Sequence, residues 1–175
     1  QHHDILKDPK VARWVPKQEI HRRGLRRQGW WHDSQYSFKL LAEQAKKIVE
    51  AGGRVGLGGH GQMQGLGVHW ELWSIASGGM KNHDVLRVGT VFGAEAIGFG
   101  KELGTLEGGK LADLQVLDAN PLENIRNTNT IRYVMKNGRL YEAETLTEIW
   151  PRQRAIDRPW WWEPERPLAE GAGTP

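Results

Sequence analysis

The sequence predicts an α/β chain, and three observations carry that prediction. Phe38, Leu41, Ala45, Ile48 and Val49 recur at helical spacing with Glu and Lys on the opposite face, and Gly52-Gly53 follows as a stop. Arg54–Gly58 is then a short apolar run bounded by glycines, too short for a helix and suited to a buried strand. After Gly98 the hydrophobic period changes from helical to two.

Taken in order, residues 1–33 form a basic lead-in, irregular or briefly helical, with no sustained period. Its cluster Arg22, Arg23, Arg26 and Arg27 reads as a solvated helix face, or as a contact with a further part of a longer chain, in preference to a nucleic-acid site. Residues 34–102 carry the helical pattern, beginning with a helix over 36–51. Eight glycines fall between Gly52 and Gly67, so 59–67 reads as a loop at the carboxyl end of the strand. A helix follows from His69 to Ser77 and breaks at Gly78-Gly79. Another starts at Asn82, whose side chain is placed to cap it while Asp84 complements the positive helix end; Val85, Leu86, Gly89, Phe92 and Ala96 make its buried stripe.

Residues 103–150 read as strands and turns. Ala112–Leu117 is a strand ending in the turn Asp118-Ala119-Asn120-Pro121. Ile131–Lys136 pairs with Arg139–Glu142 across Asn137-Gly138, a dipeptide that tolerates the positive φ both turn positions need. Residues 151–175 hold five of the eight prolines and the run Trp160-Trp161-Trp162, and read as an extended, partly disordered tail.

Composition narrows the chemistry. At 175 residues the chain is shorter than a complete (β/α)₈ barrel of about 250. With no cysteine, disulfides, thiolate zinc sites and cysteine nucleophiles are excluded, so any metal must be held by His or carboxylate. A mean hydropathy of -0.61 and the lack of a long apolar run predict no membrane partner. Since residue 1 is Gln, the chain reads as processed or as a piece of something longer.

Gly56-x-Gly58-x-x-Gly61 matches the dinucleotide fingerprint literally, yet Gly65 and Gly67 keep the following chain irregular and no second strand appears where the ribose ligand belongs. The stronger candidates are His60, Gln62, His69 and Glu71, in and just after the glycine-rich loop. An imidazole there can ligate a metal, move a proton or orient a carbonyl, and a carboxamide can donate to a carbonyl oxygen. The alternative for both histidines is satisfaction by nearby polar groups in a structural turn. Glu71 reads as a surface or supporting group, and His-x-Glu without paired cysteines is no deaminase signature.

About half the chain resembles the C-terminal part of the metal-dependent amidohydrolases, in the imidazolonepropionase- and prolidase-like branch. The resemblance lies in Arg54-Val-Gly-Leu-Gly-Gly-His60, Glu71-Leu72, Gly79-Met80, Leu86-Arg-Val-Gly-Thr90, Ala94, Gly98, Asn120-Pro121 and Val134-Met-Lys-Asn-Gly138. Its most specific part is Gly104-Thr-Leu-Glu-Gly-Gly-Lys-Leu-Ala-Asp-Leu114. His60-Gly61-Gln62, Gly65-Leu66-Gly67 and His69-Trp70-Glu71-Leu72 resemble the subgroup fused to an N-terminal TolB-like β-propeller.

The resemblance implies the C-terminal fragment of an amidohydrolase-type (β/α)₈ barrel, with Arg54–Gly58 as its eighth strand, followed by strands of a small β-sandwich. It implies hydrolysis of a C–N amide bond in a small-molecule substrate, with Zn²⁺ or a similar divalent ion in the full-length parent polarising the carbonyl and activating water. His60 aligns with the strand 8 Asp that the family uses as metal ligand and base, which makes His60 the catalytic and metal-ligating candidate and Gln62 and His69 the substrate-binding candidates. Replacing Asp by a neutral imidazole changes the site's charge by one unit and its metal preference. The other ligands belong to the remainder of the parent, namely the N-terminal barrel half and further sandwich strands, so this chain by itself is expected to be inactive and to bind no metal tightly. A second reading, from the missing Asp, is a catalytically dead interaction module of a larger propeller-containing protein.

Overall fold

The computed structural model describes residues 8–24, 32–60 and 63–162. The chain divides into two units, Gln1–Gly29 with Ala155–Pro175, and Trp30–Arg154.

In the first unit, α1 (Pro9–Trp14) begins where Asp8 Oδ1 accepts the amides of Lys10 and Val11, and Pro9 occupies a position whose N–H would have no helical partner. On α2 (Lys17–Gly24), Arg22 pairs with Glu19 at 2.7 Å, so one member of the basic cluster is already engaged; Arg26, Arg27, Trp30 and Trp31 lie outside the described residues. A 3₁₀ turn at Trp160–Trp162 lays two indoles on α1. The Nε1 groups of Trp161 and Trp162 donate to the Arg13 carbonyl, and the Arg13 guanidinium lies over the rings of Trp14 and Trp162 at 5.4 and 5.1 Å. Within the predicted extended tail, Trp160–Trp162 thus form a packed turn; 163–175 lie outside the described residues.

The second unit opens with α3 (Phe38–Glu50), ended by a Schellman motif: Gly53 N–H donates to Ile48 and Gly52, at φ +85°, donates to Val49. The predicted stripe needs correction, because Phe38, Leu41 and Ile48 are exposed while Ala42 is buried. Close backbone approach sets this rotation: a Cβ on Gly78 would lie 2.3 Å from the Ala42 carbonyl carbon, so Gly78 admits the α3 backbone at that point.

Where one helix was expected from His69, α4 spans Leu66–Ala76 and takes in part of the predicted loop, Gly65 supplying the turn at φ +77°. The next predicted helix is two, α5 (Asn82–Val88) and α6 (Val91–Ala96), since Thr90 breaks the path and its hydroxyl donates to the Leu86 carbonyl. That break resets the helical register, so Ala94 is buried in place of Ala96. Asn82 does not cap: it is already helical, and its Nδ2 donates to Leu122 O at 2.9 Å. The core gathers Leu72, Ile75, Met80, Val85, Val88, Phe92 and Ile125, with Val55 and Leu57 packed against it.

Arg54–Gly58 is not a strand. Its burial alternates with period two, but among the described residues the amides of Arg54, Val55, Gly56 and Leu57 make no backbone hydrogen bond. A strand needs a ladder, and no described strand lies beside this segment.

The sheet is an antiparallel meander, β1 (Leu114–Leu117), β2 (Ile131–Lys136), β3 (Arg139–Glu142) and β4 (Glu148–Trp150), in that spatial order. Lys136 pairs with Arg139 across Asn137 (φ +48°) and Gly138 (φ +74°), the positive-φ hairpin turn that the dipeptide predicts. Asp113 pins that turn: Oδ1 accepts the Asn137 amide at 2.6 Å and Oδ2 pairs with Lys136. These two donors, the ammonium first, hold its carboxyl below the usual carboxylate range. Upstream, Lys110 Nζ donates to Gly100 O at 2.9 Å and to the Thr105 hydroxyl, and Thr105 donates to Glu107. A Cβ on Gly104 would lie 2.7 Å from Val91 Cα, so this glycine seats the stretch on α6.

Gly78→Ala should lower stability by about 1–3 kcal/mol in urea unfolding, whereas Gly108→Ala, with nothing within 4 Å, should stay within about 0.5 kcal/mol. Asp113 has a depressed carboxyl in the fold, so its stabilisation is present above the unfolded pKa of about 3.9 and is lost as pH falls through the lower folded value. The stability gap between wild type and Asp113→Asn, measured by urea midpoints, should therefore be constant near neutrality and close as pH is taken below about 4.

Candidate functional site

His60 stands at the end of the extended run 53–59 and is exposed, with φ +50°. Positive φ is costly for a residue with a Cβ. The run is fixed at both ends. At its start, Arg54 lies over Phe92 at 4.5 Å and pairs with Glu95 at 2.8 Å. At its end, Gly58 donates its amide to Glu71 Oε1 at 3.1 Å. Glu71 is thus a backbone anchor for the turn that carries His60. Gly59 lies against the first turn of α4, where a Cβ would be 3.4 Å from the Gly67 carbonyl carbon and the Val68 nitrogen.

Gln62 lies outside the described residues. His69 is half-buried one helical turn before Trp73 on α4, with the two rings 6.3 Å apart. Its Nδ1 is 3.2 Å from the Thr128 hydroxyl, on the 3₁₀ turn Ile125–Asn129. Trp73 Nε1 donates to Ile125 O at 3.0 Å and to Thr128 Oγ1 at 3.1 Å, and Arg126 lies over the Trp73 ring at 4.8 Å. Sequence reasoning missed Thr128, Trp73 and Arg126. The four-residue spacing of His69 and Trp73 puts them on one helix face, a readable signal, but Thr128 is 59 residues away and nothing local marks it.

Among the described residues no group of three or more His, Asp or Glu side chains converges as a metal centre. His60 offers one imidazole where a catalytic zinc site takes three protein ligands, so the donor set present does not fit a metal centre by itself. Nor is any described helix long and apolar enough to cross a membrane.

Comparison with known proteins agrees with this layout. The model of the amidohydrolase family matches residues 40–141, from α3 to β3. A Xaa-Pro dipeptidase with methionine bound in its active site is similar at 29% identity and a TM-score of 0.53, over 59% of this chain and 26% of that one. A putative prolidase from Bifidobacterium longum is similar at 29% identity and a TM-score of 0.51, over 67% of this chain and 28% of that one. An uncharacterized protein matches at 30% identity and a TM-score of 0.50, over 58% and 26% of the two chains. The chain therefore spans about a quarter of the length of the solved structures it matches. No curated protein matches it.

Because the described donors are too few for a tight site, adding a chelator, or Zn²⁺ at low micromolar concentration, should leave the thermal midpoint of this chain unchanged in a fluorimetric melt.

Proposed function

The chain belongs to the amidohydrolase family, and from that premise we propose that it forms the C-terminal part of a metal-dependent (β/α)₈ hydrolase acting on C–N amide bonds of small molecules or dipeptides. The observation that carries this reading is the run 53–59 within the family match. It alternates in burial as a strand does, its amides from Arg54 to Leu57 have no backbone partner among the described residues, and it ends at an exposed imidazole. In the proposal, parallel strands from the remainder of a longer chain pair with it, and further strands complete a β-sandwich over the meander. An upstream β-propeller belongs to the same reading, on the strength of the motifs around His60 and His69. The similarity to a dipeptidase and a putative prolidase supports an amide, including the tertiary amide of an Xaa-Pro dipeptide, as substrate class.

In this reading His60 faces the scissile bond from the carboxyl end of the last barrel strand, where the loops of such barrels converge. As a neutral imidazole it accepts a proton from the attacking water or holds that water by a hydrogen bond. Gln62 donates to the substrate carbonyl oxygen, and His69 is the second substrate-binding residue. A divalent ion such as Zn²⁺ needs ligands beyond the described residues, so no step for this chain is written through it.

The test is hydrolysis of amide and Xaa-Pro dipeptide substrates by the longer protein that contains this segment, with this chain alone as the expected inactive control. His60→Ala in the longer protein should lower kcat by about 10²-fold or more while shifting the thermal midpoint little, since an exposed loop imidazole contributes little packing. Full activity in the variant would remove His60 from the chemistry. Absence of hydrolysis in the longer protein would favour the interaction-module reading that the missing Asp suggests.

A further inference from the structure

Glu148, the first residue of β4, is 6% exposed, and among the described residues no donor or cation meets its carboxylate. Its oxygens still reach the surface, since no sealed and unpartnered side-chain oxygen occurs in the described fold. A carboxylate withdrawn this far from water is costly to keep charged unless a cation or N–H donors meet it. The backbone fixes what stands beside it. Glu148 donates its amide to Arg154 O and accepts the Arg154 amide, both at 2.9 Å, so its pairing with Tyr141 on β3 is of the kind without hydrogen bonds. In that arrangement two side chains leave one face of the sheet at their closest, with Cα atoms about 4.5 Å apart. The register slips between Leu140 and Tyr141, a bulge of the kind that re-aims side chains beside it. Arg154 leaves the same face on the other side of Glu148, but it is exposed and no ion pair joins the two. Of the sheet's other cations, Lys136 pairs with Asp113 and Arg132 with Asp118.

We infer that Glu148 and Tyr141 form a receptor for a guanidinium group, filled in the longer protein by an arginine on a strand that covers the meander. Charge selects a cation, because the buried carboxylate is an acceptor only. Shape then selects among cations. A guanidinium brings two N–H groups to the two carboxylate oxygens in one plane and lays its flat face on an aromatic ring, here the half-buried Tyr141. A lysine ammonium is a strongly hydrated point charge and meets neither demand as well. The chain spans about a quarter of the length of the solved structures it matches, which leaves ample length for a strand that supplies the arginine. That source rests on the longer chain proposed above, whereas the receptor itself does not.

The experiment is a ¹H–¹⁵N titration of this chain at neutral pH with N-acetyl-arginine methylamide, using the citrulline analogue as a neutral isostere and the lysine analogue as a second cation. The arginine probe should shift the amides of Tyr141, Glu148 and Arg154 and saturate at millimolar concentration. The lysine probe should bind about fivefold more weakly or worse, and the citrulline probe should not saturate. Glu148→Gln should abolish binding, and Tyr141→Leu should weaken it severalfold. No saturation by the arginine probe up to about 100 mM would overturn the inference. So would equal binding of the citrulline or lysine probe, or unchanged binding in a Glu148→Gln variant that keeps its circular dichroism. Should that variant fail to fold, the three probes on the wild type still decide it. Binding that appears only in Arg154→Ala would show that Arg154 already fills the site, and would also overturn it. In the longer protein the arginine probe should no longer bind; binding there of equal strength would overturn the assigned source. Absence of amide hydrolysis by the longer protein, with the probe results as expected, would remove the proposed activity and leave the receptor standing.

Discussion

Phe92 is the contact on which the candidate site depends. Its ring is buried between two guanidinium groups, Arg54 at 4.5 Å and Arg87 at 4.4 Å, and each cation is held in turn by a carboxylate, Glu95 for Arg54 and Asp84 for Arg87. The apolar ring is withdrawn from water into the cluster with Val85 and Val88, while the charged heads stay at the surface. This matters for the site because Arg54 opens the run that ends at His60. Among the described residues no ladder hydrogen bond runs along Arg54 to Leu57, and side chains position the run: Arg54 on Phe92, Val55 and Leu57 against the core, and Glu71 on the amide of Gly58.

How far the fold was legible follows from where each element finds its partners. The hairpin at Asn137-Gly138 and the stop after α3 are local, since two residues with positive φ and two carbonyl acceptors within one turn suffice, and both appear in the predicted places. Arg54–Gly58 reads as a strand because its side chains alternate, and they do alternate in burial, but pairing depends on a neighbour that local sequence cannot supply. The rotation of α3 was hidden for a related reason. Periodicity gave Leu41 and Ile48 to the core, whereas the approach of Gly78 to the Ala42 backbone turned them to the surface. The candidate site divides the same way: His60 was found from its place after an apolar run, while Thr128 is joined to His69 only by the tertiary fold.

The most family-specific string, Gly104 to Leu114, does mechanical work. Gly104 admits the backbone of α6, Lys110 ties Gly100 to Thr105, and Asp113 fastens the hairpin turn. Thr105, Glu107, Lys110 and Asp113 are engaged with one another, with backbone or with Lys136, as joints between the helical layer and the meander. A motif can thus identify a family through folding requirements, while the chemistry proposed above lies with a less distinctive segment, Gly58-Gly59-His60.

In the proposed reading His60 stands where the resemblance implies a carboxylate, and Glu71 gives that departure a physical setting. Its Oε1 already accepts the Gly58 amide, so one carboxylate is committed to the turn two residues before His60. A second carboxylate at that point would add a like charge to a loop whose backbone is held by the first, and like charges in proximity favour the protonated form of one of them. An imidazole adds no negative charge when neutral. In the proposed role it accepts a proton without adding a charge beside the carboxylate that fixes its own loop. The substitution keeps the capacity for base chemistry while removing the anionic charge that helps a carboxylate hold a cation.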